Sequence, residues 1–213
     1  MMEPEQVGYS VGWEVSVLWS LLLACVSDPK DTAAASDLTC TERFDGAAPT
    51  SEDDLRDIVA IAITNYAVPL EAVSLQYTTI SSDSVFFQAN LDVTTIEEEP
   101  LERTYTLQYN PALFDDPPSQ IAVGAILVHE LRHVLDYTEM TSEELGAFAA
   151  WYITEDVSAY ERETDEYALE QGCGEGLTAY REWLYETIPP EDLAEKQRNY
   201  YTPDEIREWM AAH

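Results

Sequence analysis

The stretch from residue 121 to residue 137 reads IAVGAILVHELRHVLDY and contains both internal histidines of the chain, His129 and His133. In an α-helix, residues four positions apart lie on the same face, so the two imidazoles can bind one small cation, and Glu130 lies beside that face. Apolar residues surround this H-E-x-x-H pentapeptide on nearly all sides, and Ser119 can cap the helix at its start. We therefore expect a central helix that carries the pentapeptide into the protein interior.

Burial of this pentapeptide requires compensation for its polar side chains. Imidazoles and a carboxylate are costly to remove from water unless they are paired or bind a metal ion. The alternative is an ordinary amphipathic helix in which Glu130 and Arg132 are exposed and the two histidines are satisfied by internal hydrogen bonds. The apolar surroundings favour the metal site.

The composition is strongly acidic. The 213 residues include 42 acidic and ten basic side chains, and the formal net charge is −32. This length fits one domain with an N-terminal appendage, and such a charge repels phosphate backbones and anionic lipid surfaces. We therefore expect no nucleic-acid partner, and we interpret most of the acidic side chains as a solvated surface.

The N-terminal region contains a signal-like segment. Residues 15–24 read VSVLWSLLLA, an apolar run with the length of a signal-peptide core, and residues 22–25 resemble a bacterial lipobox in which Cys25 would be lipidated. We therefore divide the chain into a signal-like segment (1–24), a tether (25–50) and one folded domain (51–213). This predicts an extracytoplasmic protein that contacts a membrane only through a lipid anchor at Cys25. Residues 1–14 contain no Lys or Arg, unlike a typical signal, so a cytoplasmic protein is the alternative.

Two further cysteines remain if Cys25 carries a lipid. Cys40 and Cys173 then form an even pair that could make one disulfide in an oxidising compartment. The alternative is two unrelated buried thiols.

The folded domain reads as α+β. A helix capped by Ser51 should end before Pro69, and three strands should follow at residues 73–80, 85–93 and 103–109, as a small antiparallel meander. We expect the last of these strands to be an edge strand. A capping box at Thr141 opens a helical stretch that should run to about Gln171, where Gly172 can end it. Shorter helices are predicted at residues 176–187, 190–199 and 203–212, which makes the C-terminal half helical.

Helical periodicity singles out two carboxylates as candidates for the metal site. A catalytic zinc ion usually has three protein ligands, and no internal histidine remains for the third. On the helix predicted after Thr141, Glu161 and Asp165 share a stripe with small and apolar residues between Ala147 and Ala168, whereas the other acids lie on the opposite side. Two inward carboxylates four residues apart are better explained by a metal than by burial without a partner.

Two other carboxylates remain open as the third ligand. Asp136 lies about 10 Å of helical rise beyond His129, which is too far for a shared ion on a continuous helix. Glu163 lies on the outward side of its helix. We favour Glu161 over both.

The combination of H-E-x-x-H with a following helix that bears E-x-x-x-D resembles the gluzincin-type zinc metallopeptidases. This resemblance covers about residues 103–171. It implies a zincin-like domain in which an edge strand lies next to the active-site helix, with one Zn²⁺ per chain bound by His129, His133 and Glu161. Glu130 would be the general base, and Asp165 would accept a hydrogen bond from a ligand imidazole.

By the same resemblance the chain would hydrolyse peptide bonds in a peptide or protein substrate, and we expect a monomer. The alternative function is a zinc-binding module that binds a partner without turnover. The residue that stabilises the oxyanion cannot be chosen among the thirteen tyrosines of the chain.

Overall fold

The computed structural model describes residues 38–213. The signal-like segment and Cys25 lie outside the described residues. Within residues 38–213, no helix has both the length and the apolar character needed to cross a membrane. The fold class is α+β.

The three strands form a mixed sheet rather than an antiparallel meander. They are β1 (Ser74–Thr79), β2 (Phe87–Leu91) and β3 (Thr104–Tyr109), in the order β1-β3-β2, with β1 parallel and β2 antiparallel to β3. The prediction of a meander was therefore wrong, as was the prediction that β3 is an edge strand. The alternate residues of β3 are buried as expected, but a strand with one buried face can have neighbours on either side.

Most of the described chain is helical. The helices are α1 (Cys40–Arg43), α2 (Glu52–Tyr66), α3 (Gln120–Glu139), α4 (Ser142–Thr154), α5 (Ser158–Glu170), α6 (Gly174–Thr187), α7 (Pro190–Asn199) and α8 (Pro203–Ala212). Of these, α3 is the helix that packs on the sheet, through β2. The predicted caps at Ser51, Ser119 and Thr141 each accept a hydrogen bond from the first turn of their helix.

Helix α3 is the central element, as the sequence predicts. Every residue from Ala122 to Leu131 is buried, and the helix packs against α2, α5, α6 and β2. The H-E-x-x-H motif therefore lies in the interior, facing α5 on one side and the edge strand β2 on another.

The helical stretch predicted from Thr141 to about Gln171 is interrupted, so that prediction was wrong. Helix α4 ends at Thr154 and α5 begins at Ser158, whose backbone N–H donates a 2.9 Å hydrogen bond to the side chain of Asp156. Such a local bond offers the backbone an alternative to the helical ladder. Gly172 ends α5 with a φ of 77°, as predicted.

Residues 38–50, predicted to be part of a tether, pack against the domain. Phe44 is fully buried against Gly124 of α3, where an added Cβ would lie 2.3 Å from its ring. Cys40 and Cys173 form a disulfide that joins α1 to the start of α6. Residues 38–50 are therefore attached to the domain at two points, Cys40 and Phe44.

Replacement of both Cys40 and Cys173 by Ala should lower the free energy of unfolding by about 2 to 5 kcal/mol, because the bridge closes a long loop in the unfolded chain. The two residues are 133 positions apart. Urea unfolding followed by circular dichroism measures the change. A reducing agent should destabilise the wild type and leave the double variant unchanged; equal stability of the two proteins would contradict the pairing.

Candidate metal centre

Three buried side chains converge between α3 and α5. The Nε2 atoms of His129 and His133 each lie 3.4 Å from Oε2 of Glu161, and all three residues are buried. Two ligand atoms on a tetrahedral zinc ion with bonds of 2.0–2.1 Å are about 3.3 Å apart. Both distances match this value, and with all three ligand atoms within 4.8 Å of one another the group could hold one metal ion.

The hydrogen bonding of Glu161 also fits a metal ion. Its Oε1 accepts a 2.5 Å hydrogen bond from the hydroxyl of Tyr152. Its Oε2 is buried, and no group within residues 38–213 donates a hydrogen bond to it. Buried carboxylate oxygens are rarely left unsatisfied, so a cation at this position would remove a substantial cost.

His129 is backed by Asp165. Its Nδ1 lies 2.8 Å from Oδ1 of Asp165, while its Nε2 points toward Glu161. Asp165 is fully buried and is held by Arg181, 2.9 Å away, and by the backbone N–H of Tyr201. This is the arrangement in which a carboxylate fixes the tautomer and orientation of a ligand imidazole.

Charge in this cluster keeps the carboxylates ionised. Burial would raise the pKa of Glu161 and that of Asp165, but the imidazoles beside Glu161 and the Arg181 guanidinium beside Asp165 hold both pKa values below the ordinary range. Burial would lower the pKa of His129, but Asp165 and Glu161 raise it to about 10. Without metal, the protonated His129 and Arg181 balance these two carboxylates, and a metal ion bound at Nε2 of His129 would take the place of a proton.

Behind His133 lies a tyrosine hydroxyl that links the imidazole to a carboxylate. The hydroxyl of Tyr160 lies 2.9 Å from Nδ1 of His133 and donates a 3.1 Å hydrogen bond to Asp136, which in turn pairs with Arg132 at 2.6 Å. If Nδ1 carries the proton, it donates to the Tyr160 oxygen, and Nε2 is left as an acceptor on the side of Glu161.

The two rival ligands are placed away from the cluster. Asp136 lies behind His133 and contacts Tyr160 rather than the face shared by the two imidazoles. Glu163 is exposed on α5. Of the described His, Cys, Asp and Glu side chains, the set that could hold a metal ion is His129, His133 and Glu161, with ligand atoms within 4.8 Å of one another.

Glu130 lies between the cluster and strand β2. It is buried, and its Oε2 accepts a 2.8 Å hydrogen bond from the backbone N–H of Ala89. This N–H points away from β3, because Gln88 and Asn90 are the residues of β2 whose backbone groups face that strand. The edge strand beside the H-E-x-x-H helix is therefore β2.

A cleft of about 580 Å³ opens onto these residues. It is lined by β2 with the residues just before it, by α3 and α4, and by the end of α7. Side chains that line the cleft include the three candidate ligands, Glu130 and the apolar residues Ile126, Leu145 and Phe148. The site is thus buried at its base and open to a small molecule or an extended chain.

Several residues near the centre were not assigned from the sequence. Tyr152, Tyr160, Arg181 and Tyr200 surround it, but tyrosines are frequent throughout the chain and helical phase does not show which of them reach the metal side. Tyr160 is the one of these residues that sequence could have suggested, because it is adjacent to Glu161 on α5. Arg181 and Tyr200 come from distant elements.

Comparison with protein-family models, with curated proteins and with solved structures finds no match for this chain.

Tyr160→Phe should weaken zinc binding about tenfold to a hundredfold, because His133 loses the hydroxyl that positions its ring. Competition with a chromophoric chelator measures the affinity. Tyr167→Phe is the matched control, since that tyrosine lies on the same helix but bonds to the backbone of Tyr66 instead. Equal affinities in the two variants would show that Tyr160 does not support the ligand.

Proposed function

We propose that this protein is a zinc-dependent metallopeptidase of the H-E-x-x-H type, with a zincin-like domain. The observation that carries the proposal is the convergence of His129, His133 and Glu161 on one point at the base of the cleft, with Glu130 beside them. Three protein ligands and an open side are typical of catalytic rather than structural zinc sites. A purely structural site would have no need of the carboxylate of Glu130.

A zinc ion held by these ligands would lower the pKa of a bound water and polarise the carbonyl of a peptide bond. Glu130 would accept the proton of the attacking water and then donate it to the leaving amine nitrogen. Its contact with Ala89 holds the carboxylate on the cleft side of α3. Asp165 and Tyr160 would keep the two imidazoles oriented during these steps.

The edge of β2 supports a peptide as the substrate. Among the described residues, the sheet ends at β2, and this strand forms a wall of the cleft. Backbone groups at Phe87, Ala89 and Leu91 face away from β3, and apart from the Ala89 N–H, which donates to Glu130, they leave an edge to which an extended peptide can add as a further strand. Its scissile bond would then pass beside Glu130.

Two tyrosines support stabilisation of the developing oxyanion. Burial and the nearby Glu161 raise the pKa of Tyr152 and that of Tyr200, so both hydroxyls stay protonated and can donate hydrogen bonds. Both residues line the cleft, and the Tyr200 ring centroid lies 5.8 Å from that of His129. Tyr152 already donates to Glu161, which makes Tyr200 the better candidate.

Glu130→Gln should reduce peptide hydrolysis by at least about a hundredfold while the zinc content stays at one per chain, because proton transfer is lost and the ligands remain. A set of internally quenched peptides gives the rate, and atomic absorption gives the metal. Glu163→Gln on the exposed side of α5 is the control.

Hydrolysis that survives in Glu130→Gln would contradict the proposed mechanism. A wild-type protein that binds zinc but cleaves no peptide would instead support the alternative function, a zinc-binding module without turnover.

A further inference from the structure

Lys196 is the one lysine among residues 38–213, and it lines the cleft. The chain contains two lysines, Lys30 and Lys196, against 42 acidic residues. Five arginines form ion pairs, for example Arg181 with Asp165. Within residues 38–213, the ammonium of Lys196 makes neither an ion pair nor a hydrogen bond, although acidic side chains are abundant.

The contact that Lys196 does make is with Tyr200, one helical turn later. Its Nζ lies 5.7 Å from the centroid of the Tyr200 ring, on which the guanidinium of Arg181 also lies, at 4.4 Å. Burial and the neighbouring Arg181 lower the pKa of Lys196, in the direction expected for a cation whose local compensation is incomplete. Glu195, Glu130 and Glu161 act in the opposite direction but do not restore the ordinary value, so the charge of Lys196 is only partly balanced in the cleft.

The position of Lys196 relative to the cluster suits a substrate group. Both groups contact the Tyr200 ring, whose centroid is 5.8 Å from that of His129 and 5.7 Å from Lys196 Nζ, so the two are at most about 11.5 Å apart. An extended chain advances about 3.3–3.6 Å per residue, so the ammonium lies within roughly three residues of the imidazole. It belongs to α7, whose last turn lines the cleft.

A purely structural role for Lys196 would be to interact with the C-terminal end of α7. Lys196 and Arg198 both lie in the last turn of this helix, where cations are favourable. Arg198 is exposed and does not line the cleft. The two residues therefore share the helix end and differ in access to the site.

We propose that Lys196 binds a carboxylate group of the substrate, either the C-terminal carboxylate of a peptide or the side chain of an acidic residue. This inference rests on the proposed peptidase function and names the class of peptide that the cleft prefers. The net charge of −32 repels a carboxylate from most of the surface. An ammonium in the cleft that forms no ion pair offers it a specific contact.

The test measures binding without turnover, in the zinc-loaded full chain carrying Glu130→Gln. Three N-acetylated hexapeptides of alanine, leucine and phenylalanine are compared by calorimetry, because the cleft walls are apolar. The first ends in a carboxylate, the second in an amide, and the third is an amide with one residue replaced by glutamate. Lys196→Met and the matched control Arg198→Met are added to the same background.

At least one of the two carboxylate peptides should bind about tenfold or more tightly than the neutral amide, as expected for a charge-assisted hydrogen bond. Lys196→Met should abolish this preference, and Arg198→Met should retain it. A preference for the first peptide assigns the C-terminal carboxylate as the ligand, and a preference for the third assigns an acidic side chain.

Equal affinity for all three peptides, absence of binding by all three, or a preference that persists in Lys196→Met would overturn the proposal. Failure of the proposed function would be distinct, because it is the absence of peptide cleavage by the zinc-loaded wild type and does not enter this comparison.

Discussion

The structure depends on the approach of Glu161 to His129 and His133. These three side chains are buried, and their ligand atoms converge from two helices that are separate in the sequence. Removal of charged groups from water costs several kcal/mol per ion unless partners compensate it. The charges at the centre of the domain therefore have to be matched, and a divalent cation at the proposed site would interact with the oxygen of Glu161 that accepts no hydrogen bond from the described residues.

The groups that balance the buried charges of this cluster come largely from the C-terminal half of the chain. Asp165 lies behind His129 and requires Arg181 from α6 and the backbone of Tyr201, between α7 and α8. Tyr160 lies behind His133 in the same way and donates a hydrogen bond to Asp136. The helices after α5 thus contribute the second layer of the site as well as core residues, and α7 also brings Tyr200 and Lys196 to the cleft.

The sequence predicts the elements that depend on local patterns. The apolar surroundings of H-E-x-x-H predict the buried helix α3, and the spacing of Glu161 and Asp165 predicts that both face inward, because four residues span about one helical turn. That spacing holds although the helix is interrupted before Ser158, since both acids lie in α5. The capping residues Ser51, Ser119 and Thr141 locate the starts of α2, α3 and α4.

The errors concern contacts between distant segments. Alternation in β3 shows one buried face but not which strands flank it, so the order β1-β3-β2 was missed. The stripe that began at Ala147 failed because the helix is interrupted between Thr154 and Ser158, and Ala147 and Trp151 are exposed on α4. The role of Asp136 could not be predicted, since it depends on Tyr160 from another helix.

The most direct test of this account is the zinc stoichiometry of the purified wild type, of Glu161→Ala and of Glu163→Ala, determined after dialysis against a weak chelator. Both substituted residues are glutamates of α5, one buried in the cluster and one exposed. The account predicts one zinc per chain in the wild type and in Glu163→Ala, and loss of stoichiometric zinc in Glu161→Ala. Retention of one zinc by Glu161→Ala, or a wild type that binds none, would contradict it.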